Sequence, residues 1–242
     1  MSKIRKLLGA LSDIFTVKKC VACRELLPYD SKDKLCEKCR CDWELEKRKI
    51  CTVCFEAQVD CRCGFGKKSV DSVRHIALYS NEEKDCVVNK IIYALKKSNN
   101  SDVFEFVAQE MADELLQKKY MKNAVIAGIP RNPVAIRKYG YDHAKKLALC
   151  LSKLTGVKYI DAFGHIGGKT EQKKLNKYQR EYNAKKNCYI KENCIEDIKG
   201  KNVWLVDDIG TTGAMMSACA ELLKKNGAMK VNCIIAARNE KK

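Results

Sequence analysis

Residues 203–214 read VWLVDDIGTTGA, and this stretch decides the fold. Four apolar residues run into two adjacent carboxylates, then into a loop of small and hydroxyl-bearing residues set between two glycines. A short apolar run stopped by turn-forming residues predicts a buried strand. The residues that follow, TTGAMMSACAELLKKNGA, keep helical spacing until Gly227 stops them. The stretch is therefore strand, loop and helix start.

Working outward, strand and helix patterns alternate. RHIALYS (74–80) alternates like a strand, while DCVVNKIIYALKKS (85–98) and SDVFEFVAQEMADELLQKKY (101–120) repeat like helices, the second capped by Ser101. AVIAGIP (124–130) is a strand halted by Pro130, and YDHAKKLALCLSKLTG (141–156) a helix ending near Gly156. VKYIDAF (157–163) predicts a short strand and MKVNCIIAA (229–237) a closing one. This alternation implies an α/β architecture, a mostly parallel sheet flanked by helices. Segment 164–187, GHIGGKTEQKKLNKYQREYNAKKN, sustains no apolar face. Its GKT is not a nucleotide P-loop, because the glycine that motif needs falls on Phe163.

The first 66 residues follow a different rule. Nine of the 15 cysteines precede residue 64, mostly as close pairs: Cys20-x-x-Cys23, Cys36-x-x-Cys39, Cys51-x-x-Cys54 and Cys61-x-Cys63. Clustered pairs with no export pattern fit metal thiolates in a reducing cytoplasm better than disulfides. A CxxC turn presents two thiolates to one ion, and two such turns close a tetrahedral zinc site with no position for water. Eight ligands make two structural zinc sites and leave Cys41 over. Sequential and crossed groupings of the pairs both satisfy the spacing, and iron–sulfur ligation is the alternative chemistry. Trp43 and Phe55 are read as the module's minimal core, and the six later cysteines as small hydrophobes. Gly64-Phe65-Gly66-Lys67-Lys68 reads as a linker, which divides the chain into a cysteine-rich zinc-ribbon module (1–66) and an α/β domain (67–242). The opening MSKIRKLLGALSDIF is read as an amphipathic helix capping the first module, and no run of 18 apolar residues predicts a membrane span.

The formal net charge is +17, yet residues 1–66 hold only 14 basic against 10 acidic side chains. The excess sits mainly outside the cysteine module. Such a balance favours polyanionic partners: nucleic acid, phosphorylated small molecules or an acidic membrane. In parallel sheets ligands sit beyond the carboxyl ends of strands. Gly210 and Gly213 let backbone approach a ligand there, helix-start amides point at an anion, and the Thr211 and Thr212 hydroxyls add donors. Two carboxylates would repel a bare phosphate but accept well from vicinal hydroxyls. A ligand with both features is a ribose 5-phosphate.

At this point VWLVDDIGTTGA resembles the phosphoribosyl-pyrophosphate motif of type I phosphoribosyltransferases. The resemblance implies that Asp207 and Asp208 hold the ribose hydroxyls, while Ile209, Gly210, Thr211, Thr212 and Gly213 form the 5-phosphate loop. The order of parts, a cysteine module and then this domain, resembles the ComF competence proteins. So does Gln172-x-x-Leu175-x-x-x-x-Arg180-x-x-Asn183 within TEQKKLNKYQREYN. IPRNPVAIRKYGYDHA (129–144) is similar to the proline-led loop of that family, but Tyr139-Gly140-Tyr141-Asp142-His143 stands where the family usually has Arg-Gly-Phe-Asn-Gln. The resemblance implies phosphoribosyl pyrophosphate bound with Mg²⁺, and Arg131 and Asn132 in the pyrophosphate loop. Segment 169–186, with seven basic and two acidic side chains, is then a lid carrying Lys177 and Arg180, or else a basic loop with no ligand role. Asp207, Asp208 and Arg180 are the catalytic candidates. His143 is either a base or a cap and core partner. Three functions follow from the resemblance: a phosphoribosyltransferase acting on an unidentified nucleophile, a cytoplasmic protein of DNA uptake handling single-stranded DNA, or a sensor of the phosphoribosyl ligand.

Overall fold

The computed structural model describes residues 17–49, 51, 56, 61, 69–117, 121–131, 133, 136–137, 140–165, 188–210 and 213–239. The opening helix, the 64–68 linker, Phe55 and most of the basic segment lie outside the described residues. The elements are α1 (Glu37–Arg48), β1 (Ser72–Tyr79), α2 (Val87–Lys97), α3 (Ser101–Gln117), β2 (Ala124–Gly128), α4 (His143–Thr155), β3 (Phe163–His165), β4 (Cys188–Ile190), α5 (Ile195–Ile198), β5 (Asn202–Gly210), α6 (Ala214–Lys225) and β6 (Lys230–Asn239). Among the described residues no helix is long and apolar enough to cross a membrane.

The main sheet has the order β1-β6-β5-β2, and each of its pairings is parallel. Such strands need both faces covered, and the side-chain alternation shows how. On β5, Trp204 and Val206 enter the core shared with α1 to α4, while Val203 and Leu205 enter the one beneath α6. β2 splits the same way, with Ile126 on the first face and Val125 and Ala127 on the second. All four β5 side chains are essentially buried, each worth about 1.5–3 kcal/mol relative to exposure.

Several expectations need correction. The strand of VWLV continues through Asp207 and Asp208 to Gly210, because β6 pairs with it that far, Gly210 opposite Arg238. VKYIDAF is not a regular strand. Tyr159 makes one parallel bridge to Ile126, and the chain then turns so that Phe163–His165 pairs antiparallel with Cys188–Ile190. The polar segment thus begins inside a strand, where Gly164 lets the Tyr189 ring lie across it. Ser101 is the first helical residue rather than the cap; the Asn100 side chain accepts from the Asp102 amide at 2.9 Å instead. Helix α4 behaves as its ends foretell, with Asp142 accepting from the Lys145 amide at 3.1 Å and Gly156 left-handed at φ 71°.

Helix α1 is the larger surprise. Trp43 is not confined to a small module core. It is buried against Phe106 of α3, ring centroids 5.3 Å apart, inside the same cluster that holds Trp204 and Ile234. Polar ties flank that contact. Arg40 reaches Asp33 at 2.6 Å and the buried Glu110 at 2.9 Å, Lys47 reaches Glu110 at 2.6 Å, and Lys34 spans Asp102 and Glu105 at 2.6 Å each. Burial acts to raise the Glu110 carboxyl, but Lys47 and Arg40 outweigh it and hold it below its ordinary range.

Candidate functional site

The cysteine-rich part yields the most compact cluster. The Cys20–Cys23 turn closes through the Cys20 amide to the Glu25 carbonyl (2.8 Å) and the Arg24 amide to the Cys20 carbonyl (3.0 Å), with Arg24 in the left-handed region at φ 68°. Cys36 and Cys39 come from the N-cap and first turn of α1, where three-residue spacing puts both on one face. The four Sγ atoms all lie within 4.8 Å of one another, and Cys23 and Cys36 approach to 3.7 Å. Four thiolates about 2.3 Å from one ion require this crowding, so the site fits zinc. Burial works to raise the Cys20 thiol, but amides of Cys23, Cys36 and Ala22 facing the sulfur bring it down to about 7. Burial pushes Cys39 up. A dication bound there would hold all four sulfurs as thiolates.

The first two pairs therefore meet each other, as in the sequential grouping. Cys51 and Cys61 are buried, and Arg238 Nη1 donates to Cys61 Sγ at 2.9 Å. Their expected co-ligands Cys54 and Cys63 lie outside the described residues. Cys41 is exposed, and Cys188, Cys194, Cys219 and Cys233 are buried in the core beneath α6.

The second cluster lies at the carboxyl end of β5. Asp207 is half-buried and Asp208 buried, and each folds its Oδ1 back onto the next amide, at 2.8 Å to Asp208 N and 2.9 Å to Ile209 N. Burial, and then the adjacent Asp208 carboxylate, push the Asp207 carboxyl well above its ordinary range. Asp208 Oδ2 is buried with no hydrogen bond among the described residues; Lys96 Nζ of α2 stands 3.5 Å away. Ile209 and Gly210 finish the strand, and Gly213 is the N-cap of α6 at φ 70°. A left-handed residue there favours glycine, since other side chains are strained by about 1–2 kcal/mol.

β2 delivers the opposite wall. The Ile129 amide donates to the Val206 carbonyl at 2.9 Å, so the chain beyond β2, with the half-buried Arg131, leaves the sheet beside the acid pair. Helix α4 packs tightly there: a Cβ on Gly128 would lie 3.0 Å from Ala144 C and Lys145 N, both backbone. Tyr141 feels this site from both sides. Burial raises its hydroxyl, the Arg131 charge lowers it, and the Asp208 charge raises it. His143 is fully buried, its Nε2 3.1 Å from the Lys96 carbonyl and its ring edge-on to Tyr141 at 4.6 Å. That is the place of a core partner.

Of the residues singled out by sequence, Asp207, Asp208, Ile209, Gly210, Gly213 and Arg131 gather at one end of the sheet. Asn132, Thr211, Thr212, Lys177 and Arg180 lie outside the described residues. Lys96 was missed. Its partner is remote in sequence, and its helix marks it only as one charge in a basic last turn. The paired carboxylates and the orphaned Asp208 oxygen are hard oxygen donors that fit Mg²⁺.

The model of the phosphoribosyl transferase domain family matches residues 99–242. The chain belongs to that family. Among curated proteins it is similar to the ribose-phosphate pyrophosphokinase of Thermococcus kodakarensis, 60% identical over 35 residues, which are 14% of this chain and 12% of that one. Among solved structures, the glutamine phosphoribosylpyrophosphate amidotransferase from B. subtilis aligns with a TM-score of 0.41 and 20% identity, covering 61% of this chain and 30% of that one. An adenine phosphoribosyltransferase aligns with a TM-score of 0.37 and 17% identity, covering 61% and 75%. The phosphoribosyl transferase domain chain thus spans about an eighth of the curated relative and under a third of the amidotransferase.

Proposed function

We propose that this protein binds phosphoribosyl pyrophosphate with Mg²⁺ at the carboxyl end of β5 and serves DNA uptake as a ComF-type protein. The observation that carries the ligand is the acid pair ending a parallel strand, followed by a loop bounded by Gly210 and the left-handed Gly213. Asp207 and Asp208 take the ribose hydroxyls. Ile209, Gly210, Thr211, Thr212 and Gly213 take the 5-phosphate through backbone donors and hydroxyls. Arg131 and Asn132 face the pyrophosphate, and Lys177 and Arg180 from the basic segment neutralise it. Bound Mg²⁺ would balance charge between pyrophosphate and sugar. If turnover occurs, a nucleophile bonds to C1 as the C1–pyrophosphate bond breaks, and the protein's share is orientation and charge stabilisation. The uptake role rests on the order of cysteine module and transferase domain, together with the positive excess beyond residue 66. That excess suits single-stranded DNA, whose binding is dominated by phosphate contacts. Residues 1–66 then brace residues 67–242 through zinc.

Titration calorimetry with phosphoribosyl pyrophosphate and Mg²⁺ tests the ligand. Heat in the wild type that disappears in the Asp207→Asn, Asp208→Asn double variant is the expected result; no heat, or equal heat in both, removes the proposal. Binding of an oligothymidylate strand that weakens steeply with salt supports the uptake role, and salt-insensitive or absent binding counts against it.

A further inference from the structure

Three lysines surround the end of α2 and its junction with α4, and two of them are occupied on the surface. Lys97 Nζ lies over the Tyr93 ring at 5.0 Å. Lys146 Nζ lies over Phe104 at 4.2 Å and donates to Asn99 Oδ1 at 2.7 Å. Lys96 turns inward to the acid pair. Its backbone is pinned, because the Tyr141 hydroxyl donates to the Leu95 carbonyl at 3.0 Å and His143 Nε2 meets the Lys96 carbonyl at 3.1 Å. Leu95 beside it is fully buried. A lysine in a last helical turn commonly serves the free carbonyls there. With the Tyr141 hydroxyl and His143 Nε2 set against two of those carbonyls, the ammonium is available for Asp208.

Its hold on Asp208 is loose. The 3.5 Å separation exceeds the 2.6 Å of the Lys34 and Lys47 ion pairs, and Asp208 Oδ2 gains no hydrogen bond from it. The Lys96 side chain is 35% exposed whereas that of Asp208 is 11% exposed, so the amine has water on one side and the buried carboxylate on the other. A single charge at that distance is a weak competitor for a dication, which carries twice the charge and comes closer to oxygen.

We infer that Lys96 is a phosphate-binding residue held in reserve: in the ligand-free protein its ammonium stands where a divalent cation would sit on Asp208, and it passes to the ligand's anionic tail when cation and ligand arrive together. The second half rests on the phosphoribosyl-pyrophosphate reading; the first half does not. The lysine stem is long enough to swing away while its pinned backbone keeps the amine at the mouth of the site. The transfer keeps the acid pair neutralised in both states, first by the ammonium and then by the metal.

The test uses the full chain with Lys96→Met and Lys96→Gln, which keep the stem and lose the charge, and Lys96→Arg, which keeps the charge. Mn²⁺ alone is titrated by electron paramagnetic resonance, and phosphoribosyl pyrophosphate with Mg²⁺ by calorimetry. Both neutral variants, melting with the wild type, should bind Mn²⁺ alone several-fold more tightly. They should bind the sugar ligand about 10- to 100-fold more weakly, the loss expected for one charge-assisted contact. Lys96→Arg should retain most ligand affinity. Unchanged or weakened Mn²⁺ binding in both neutral variants overturns the post on Asp208. Tightened Mn²⁺ binding with unchanged ligand affinity overturns the transfer. A wild type that binds Mn²⁺ but not the sugar ligand overturns the functional reading and the transfer with it, and leaves the post on Asp208 to stand or fall on the Mn²⁺ titration.

Discussion

Two neighbouring carboxylates on one buried strand end are an expense that the fold alone does not require. Because the folded protein raises the Asp207 carboxyl, it holds a proton there more tightly than the unfolded chain does. The associated stability is therefore fully present below the ordinary aspartate range near pH 4 and is lost as pH rises through the folded value. Asp207→Asn keeps the acceptor for the Asp208 amide and removes the charge. It should raise the melting temperature at pH 7 by about 3 °C, with the gain vanishing toward pH 4, while ligand binding is lost. Scanning fluorimetry across that range checks the claim, and an equal gain at both ends would refute it. The acid pair at the strand end was legible because its two members are adjacent in the sequence. Lys96 was not, since nothing along α2 separates an inward amine from the outward ones of Lys97 and Lys90.

At the scale of elements, the site depends on how closely α4 seats on β2. Gly128 is the contact point, and the atoms nearest a methyl there are backbone atoms of Ala144 and Lys145. Gly128→Ala should therefore push α4 away, destabilise the protein by about 1–3 kcal/mol in urea unfolding, and loosen the Tyr141 and His143 anchors on α2. An unchanged unfolding midpoint would mean that the helix accommodates the methyl freely. Elements whose ends carry their own chemistry were readable: Gly156 closes α4 as glycine does, and the apolar runs of β2 and β6 are buried strands. Those decided by remote partners were not. β5 runs past its apolar run because β6 continues beside it, and VKYIDAF loses its regular pairing because β2 offers it only one bridge, at Ile126.

At the scale of the molecule, the cysteine cluster and the sheet share one interior. Trp43 follows Cys39 by a single helical turn and ends against Phe106, so whatever orders the thiolates also orders the face of α3. A chelator that competes for a metal held by these thiolates should lower the melting temperature of the whole chain in one transition, with far-ultraviolet dichroism and tryptophan fluorescence moving together. Two separate transitions, or an unshifted one, would show the cluster to be energetically independent. Spacing revealed the thiol pairs, but it could not reveal this junction, because Trp43 and Phe106 belong to helices whose docking no local pattern encodes.

The strand order has a consequence for the newborn chain. β6 is wedged between β1 and β5, so the sheet stays split until residue 239 has cleared the ribosome, and β1 waits through most of translation with a bare edge. For that interval, helper proteins that shield unpaired strands should matter more to its yield than any single contact in the finished molecule.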